Sequence, residues 1–361
     1  MAFPAPPHPF RGRTSELRTL AAACRAELPA RLALIGAGGS GKSTLAAALG
    51  HRAARTFPGG LEWFRVGGWD HQTLLDMLAI RFGVRVGGLS RREGRLADLR
   101  REIRRRGPML IVLDNHEDDR AMARMLNALA DLPVSWVLTA RRCLLGGVSV
   151  FPVVPPLATA GKNPFPEIAS LTALVRWNPL ALDIGHALVT TGAVTAAALG
   201  DWLRRQGIGR VQVIAHEDDV PAVRLLVRWV WPRLGGGARR VLTALAHLPG
   251  DHADAPSLAA LSRVGRGVGP ALARLRRWHL VQEPLPARFT LHATIRHAVV
   301  ERTRFSRARA VAHFVRLLER DPGRLDLEQT HLFAAMDHAH ATSDTALALR
   351  IERLLERLDL A

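Results

Sequence analysis

Apolar residues recur along this chain in two rhythms. Short unbroken apolar stretches bounded by turn residues predict buried strands at Leu32 to Ile35, Pro108 to Leu113 and Ser135 to Leu138. Between them the spacing turns helical. Lys42 to Leu49 is rich in Ala and Leu. The stretch running into Arg100 to Arg106 sets Leu96, Leu99 and Ile103 on one side and its arginines on the other, as a helix does whose basic face is wet. Strands alternating with helices predict an α/β domain with a parallel sheet, residues 10–156, behind an extension of residues 1–9. Pro155-Pro156 closes it. Ile168 to Val175 and Leu180 to Leu188 have helical spacing, so a small helical domain is expected over 157–220. Over 221–304 helices end in a strand pair, Leu280 to Glu283 and Arg288 to Leu291, joined by Pro-Leu-Pro, which suits a wing. Residues 305–361 read as helical, with Phe314, Leu317 and Leu318, then Leu332, Phe333 and Met336, then Leu347 to Leu358.

A length of 361 residues exceeds what one core organises, so two or three domains are expected. Hydrophobic residues at 48% against 23% charged fit a globular chain rather than a disordered one. The longest apolar runs, Met109 to Leu113 and Val148 to Pro156, fall far short of the roughly 20 residues of a membrane helix, so no membrane partner is expected. Met1 to Pro9 lacks the basic flank and apolar stretch of a secretory signal, which points to the cytoplasm. Cys24 and Cys143 show neither CxxC spacing nor a histidine partner pattern, so reduced, buried thiols are expected and no cysteine-bound metal. The formal charge of +18 is carried by arginine, since Lys occurs only at Lys42 and Lys162. Solvated arginines account for it most simply; binding to nucleic acid or another acidic surface is the other reading.

One of those two lysines sits in a chemical motif. Gly36-Ala37-Gly38-Gly39-Ser40-Gly41-Lys42-Ser43 is a full GxxxxGK[ST] match, placed after a predicted strand and before a predicted helix, with Thr44 in that helix's first turn. The chemistry requires these residue types. Gly36, Gly38, Gly39 and Gly41 let backbone N–H groups turn inward with Ser40 around phosphates where side chains would obstruct. Lys42 reaches the β and γ phosphates, Ser43 offers its hydroxyl to Mg²⁺, and the helix N-terminus adds its positive end. ATP or ADP with Mg²⁺ is the ligand expected. Asp114, at the end of the second strand, is the carboxylate expected to hold the metal's shell. Asn115 follows where fast ATPases often carry a second carboxylate, so at most slow hydrolysis is expected. Glu117, Asp118 and Asp119 read as an acidic first helical turn. Thr139-Ala140-Arg141 ends the third strand, and Arg141 is the candidate sensor of the γ-phosphate and, with Asp114, a candidate catalytic residue.

Several of these stretches together resemble the signal-transducing ATPases of the NB-ARC (STAND) type in their bacterial form, over roughly Pro9 to Leu349. Phe10 to Leu17 is similar to the family's leading FxGRxxEL motif, and Phe57 to Trp63 to the approach to its second strand. Leu110 to Asn115 resembles its metal strand. Thr139 and Arg141 match its sensor strand, with Ala140 departing between them. Asn178-Pro179-Leu180-Ala181-Leu182 resembles its GNPLAL motif, with Trp177 in place of the preceding glycine. Val223 to Gly250 looks like the start of its winged-helix domain, and Phe289-Thr290-Leu291-His292-Ala293 like its MHD motif with Ala293 in place of the aspartate. The helices after Arg309 resemble the first part of a helical-repeat sensor. Fewer than three units fit there, so no repeat array is expected, and no effector domain is expected before Pro9.

The resemblance implies a regulatory switch. Arg13 and Pro179 would border the base, and His292 would meet the β-phosphate of ADP and keep a resting form closed. ATP would favour an opened form with protein partners or copies of itself, by binding that form more tightly. Two rivals stand beside it: a nucleotide-regulated regulator whose winged helix reads DNA, and an active P-loop ATPase.

Overall fold

The computed structural model describes residues 3–4, 13–67, 69–84, 92–154, 166–208 and 221–359, excepting the side chains of 92, 93, 340 and 356–359. Phe10 to Gly12 of the leading motif, the Pro155-Pro156 boundary and residues 209–220 lie outside them. Two units are formed, one of residues 1–35, 42–152 and 308–361, the other of 36–41 and 153–307.

In the first unit Leu17, Leu20, Ala21 and Cys24 recur at helical spacing, and their shared burial fixes helix α1 (Thr14–Ala26). Then come β1 (Arg31–Ile35), α2 (Lys42–Ala53), β2 (Leu61–Arg65), α3 (His71–Arg81), α4 (Arg92–Arg106), β3 (Met109–His116), α5 (Asp119–Ala128), β4 (Val134–Ala140) and β5 (Ser149–Pro152). The five strands pair in parallel in the order β2-β3-β4-β1-β5. The predicted α/β sheet is therefore present. Strand β4 is buried at every residue and β3 at all but one, as strands covered on both faces are. Because β4 lies between β1 and β3, its end residues sit between the strand that leads into the glycine loop and the strand that carries Asp114. Helix α4 follows its predicted pattern, with Leu99 and Ile103 buried and Leu96 partly so.

In the second unit, which holds residues 36–41, the first helical elements among the described residues are a 3-10 turn at Pro166–Ile168 and α6 (Ala169–Thr172). That is shorter than the expected helix to Val175. After it the chain turns through Arg176 and Trp177, both left-handed at φ 50 and 55. Next are α7 (Pro179–Thr190), α8 (Ala196–Arg205), α9 (Pro221–Val230), α10 (Gly236–Ala246), β6 (Ala253–Asp254), α11 (Ala255–Ser262), α12 (Val268–Arg277), β7 (Gln282–Leu285), β8 (Arg288–Thr290) and α13 (Ala293–Val300). The short strands form an antiparallel sheet in the order β6-β8-β7. β7 starts two residues later than predicted. Leu280 and Val281 are buried ahead of it, and the Leu280 N–H donates to the Leu275 carbonyl, closing the end of α12. Pro284 and Leu285 thus lie in the strand, and the turn falls at Ala287, left-handed at φ 58, whose N–H donates to Glu283 Oε1.

The remaining helices, α14 (Arg307–Arg320), α15 (Leu325–Thr342) and α16 (Thr345–Asp359), belong to the first unit from Ala308 onward. Helix α3 explains where they pack. Its residues 73–79 are all buried, with no polar stripe left for water. Leu74, Met77 and Leu78 join Ile111, Leu113, Met125 and Trp136 in the sheet's core, which also takes in Phe333 of α15. Ala79, with Ile80 and Val84 beside it, meets Val311, Val315, Leu332, Ala335, Ile351 and Leu354 of the C-terminal helices.

Candidate phosphate-binding site

The loop between β1 and α2 is built around backbone conformations that need glycine. Gly39 has φ +76, and a Cβ there would stand 2.9 Å from Leu180 Cβ and 3.0 Å from Asn178 Oδ1. Gly41 has φ +91. A side chain at either would strain the chain, and at Gly39 it would also collide with the start of α7. The Ser40 N–H donates to the Ala37 carbonyl at 3.2 Å, and Ser40 is wholly buried. Gly36 and Gly38 complete the loop, which runs directly into Lys42 at the first position of α2.

In the first unit, Ser43, Asp114 and Thr139 meet at one oxygen. Ser43 Oγ donates to Asp114 Oδ1 at 2.6 Å, and Thr139 Oγ1 donates to the same oxygen at 2.5 Å. The alignment comes from a bulge. Leu113 pairs with Leu138 but His116 pairs with Ala140, so two residues of β3, Asp114 and Asn115, sit opposite the single Thr139 of β4, one more than regular pairing allows. Asn115 takes a left-handed φ of 61 there, and its N–H donates to Thr139 Oγ1 at 2.9 Å. One threonine hydroxyl therefore closes the bulge and steers the carboxylate. Thr44 follows in the first turn of α2.

Lys42 belongs electrostatically to the same cluster. Burial holds its ammonium down to about 8; the Asp114 carboxylate pulls the other way, and the Arg141 guanidinium adds to the lowering. Lys42 thus feels the charges of Asp114 and Arg141 before any ligand arrives. A buried cation beside a second cation is poised to gain from a polyanion. Ser43 and Asp114 are hard oxygen donors in contact, a set that suits Mg²⁺ completed by phosphate and water oxygens.

The acids after Asp114 serve local structure, as expected of a first helical turn. Asp118 caps α5 by accepting from the N–H groups of Arg120 and Ala121. Asp119 pairs with His116 Nε2 at 2.6 Å and accepts from the Leu144 N–H. Glu117 Oε1 accepts from Asn115 Nδ2 at 2.7 Å on the exposed side.

The remaining sequence candidates occupy helix starts. Arg13, buried, precedes α1 and pairs with Glu16 Oε1 at 3.4 Å; burial lowers its guanidinium below the usual range. Pro179 is the first residue of α7, where its missing N–H costs nothing. His292 caps α13, its Nδ1 accepting from the Thr294 N–H at 3.2 Å. Two site features escaped the sequence reading. Thr139 appears there as a phosphate sensor rather than the clamp on Asp114. Asn178 appears only as the neighbour of Pro179, although its Nδ2 donates to the Gly38 carbonyl at 2.9 Å.

No family model matches this chain, and no curated protein matches it. Among solved structures it is similar to Cdc6p from Pyrobaculum aerophilum, at 14% identity and a TM-score of 0.37 over 82% of this chain and 96% of that one. It is also similar to the Orc1 protein of Aeropyrum pernix in complex with DNA, at 21% and 0.33 over 82% and 94%. A third is the Walker-type ATPase PABY2304 of Pyrococcus abyssi, at 16% and 0.34 over 82% and 98%. Likenesses this distant assign neither a family nor an activity. The chemistry rests on the site.

Proposed function

We propose that this chain is an ATP- and ADP-binding regulatory switch of the NB-ARC type. The observation that carries the reading is the cluster of Ser43, Asp114 and Thr139 at the ends of β3, β4 and α2, with Lys42 held to about 8 beside it at the end of the glycine loop. Loop amides and Lys42 bind the phosphates. Ser43 and Asp114 would hold Mg²⁺, which when bound screens phosphate charge. Arg141, coupled to Lys42, reads the γ-phosphate, and Arg13 and Pro179 border the base. Hydrolysis is slow because Asn115, an amide, follows Asp114 and spends its side chain on Glu117. His292 would engage ADP in a resting form, and ATP would populate an opened or self-associated form by its higher affinity for that form.

The test is calorimetric titration of the purified chain with ADP. Lys42→Ala is expected to lose binding by at least about a hundredfold, since a charge-assisted phosphate contact in a buried site is lost with the loop's cation. Unchanged affinity in that variant would sink the phosphate assignment. Nucleotide released on denaturing the wild type, compared with His292→Ala, tests the resting lock: ADP retained only by the wild type supports it. Fast steady-state turnover would favour the active ATPase instead.

One observation favours the DNA-reading alternative in its own right. Residues 221–304, read as a winged helix, hold fourteen arginines against four acidic residues, a net +10 of the chain's +18. Arg263, Arg266, Arg274, Arg276 and Arg277 are exposed in and just before α12, although Arg276 spends charge on Glu283. Such a density suits a phosphate backbone. Binding to duplex DNA that weakens steeply with salt, and weakens less steeply in Arg266→Ala/Arg277→Ala, would establish it; salt-independent or absent binding would remove it.

A further inference from the structure

Asn178 does two jobs with one amide. Its Oδ1 accepts from the Ala181 N–H at 3.0 Å and so caps α7. Its Nδ2 donates to the Gly38 carbonyl at 2.9 Å. Each neighbour fixes the amide's orientation for the other, because Ala181 offers a donor and Gly38 an acceptor. The side chain is 5% exposed, so water does not compete for either bond.

The carbonyl it holds belongs to the Gly38–Gly39 peptide. With glycine on both sides, that plane is unusually free to rotate. In a trans peptide the Gly39 N–H points opposite to the Gly38 oxygen. Fixing the oxygen against α7 therefore keeps the N–H turned away from α7, and prevents the oxygen from turning towards an anion bound by the loop. The approach is tight on the loop side as well, since a Cβ on Gly39 would stand 2.9 Å from Leu180. The chain reaches this position through Arg176 and Trp177, two successive residues in a conformation that side-chain-bearing residues rarely adopt. A helix cap alone requires no such turn.

We infer that Asn178 is a positioning residue that locks the Gly38–Gly39 peptide of the phosphate loop, and so links the ligand-ready form of that loop to helix α7. The inference rests on the nucleotide reading for its consequence in binding, but the lock itself is a property of the ligand-free chain.

The cap and the lock separate by substitution. Asn178→Ser and Asn178→Asp preserve capping, as Ser, Asp and Asn cap about equally well, yet neither donates to Gly38 as the amide does. Hydrogen exchange of residues 38–41 is measured in the full-length protein without nucleotide, alongside the melting temperature and ADP affinity. In Asn178→Ser the loop amides are expected to exchange about five- to tenfold faster and ADP to bind about five- to tenfold more weakly, with melting nearly unchanged. Asn178→Asp, which sets a carboxylate against the carbonyl, shows the larger loss. Thr195→Ala, which removes the cap of the neighbouring α8, lowers melting and leaves loop exchange and affinity as they are. Wild-type loop exchange in both folded Asn178 variants overturns the lock. If the wild type binds no ADP, the nucleotide reading fails by itself and loop exchange alone decides for or against Asn178.

Discussion

Asp114 answers to three groups: Ser43 and Thr139 at a single carboxylate oxygen, and Lys42 through its charge. Thr139 is the member whose loss is most informative, because its hydroxyl also accepts the Asn115 N–H inside the bulge. Thr139→Val keeps the shape and removes both bonds, so it is expected to lower the stability measured by urea unfolding by about 1–3 kcal/mol, whereas Thr139→Ser stays within about 0.5 kcal/mol of the wild type. Lys42 sets the pH dependence. Its ammonium, held to about 8 by burial, loses its proton in the free protein as pH rises through that value. A bound diphosphate favours the charged form, so above about 8 the complex must recover a proton that the free protein has shed. ADP affinity is therefore level below about pH 8 and falls above it, by up to tenfold per pH unit. Titration from about pH 7 to about pH 9.5 reads this directly, and Lys42→Met removes the dependence. The residue types at this site were legible as a motif. The shared oxygen was not, because Ser43, Asp114 and Thr139 are brought together only by three parallel strands in one order.

At the scale of elements, α3 shows both what patterning reveals and where it stops. Leu74, Leu75, Met77, Leu78 and Ala79 are buried around the helix together with Asp76, which pairs with Arg95 at 2.6 Å, but the spacing of these residues names no partner. The partner is α15, whose Phe333 is wholly buried and stands 5.9 Å from Trp69, ring to ring. Phe333→Ala is expected to cost about 3–5 kcal/mol in chemical unfolding, the usual range for emptying a buried aromatic site. Strands β7 and β8 show the complementary case. The short run Leu280 to Glu283 ahead of Pro-Leu-Pro predicts a strand, yet Leu280 and Val281 are buried ahead of β7, which begins at Gln282. Short apolar runs fit either use, and packing decided. Helix α11 ends at Arg263 in the left-handed region with φ 56. Arg263→Gly relieves that conformation and is expected to raise stability by roughly 1 kcal/mol, seen as a higher melting temperature.

For the whole molecule, charge and chain order matter more than any contact. More than half of the net charge lies in residues 221–304, a concentration invisible in the total of +18. The C-terminal helices, read from sequence as the start of a sensor, belong to the unit that contains the five-stranded sheet. Ending the chain at Arg307 would expose Ala79, Ile80 and Val84 with their part of α3, so residues 1–307 are expected to aggregate at concentrations where the full chain stays dispersed, as light scattering would show. The sequence by itself determined the glycine loop, the lysine at its end, the apolar strands on either side and the helical rhythm of the rest, since each depends on residues within a few positions of one another. Tertiary structure alone decided which strand lies between β1 and β3, which helix covers α3, and that Asn178, 140 residues from Gly38, holds its carbonyl. Periodicity states which face a segment buries; only the joint packing of all segments states against what.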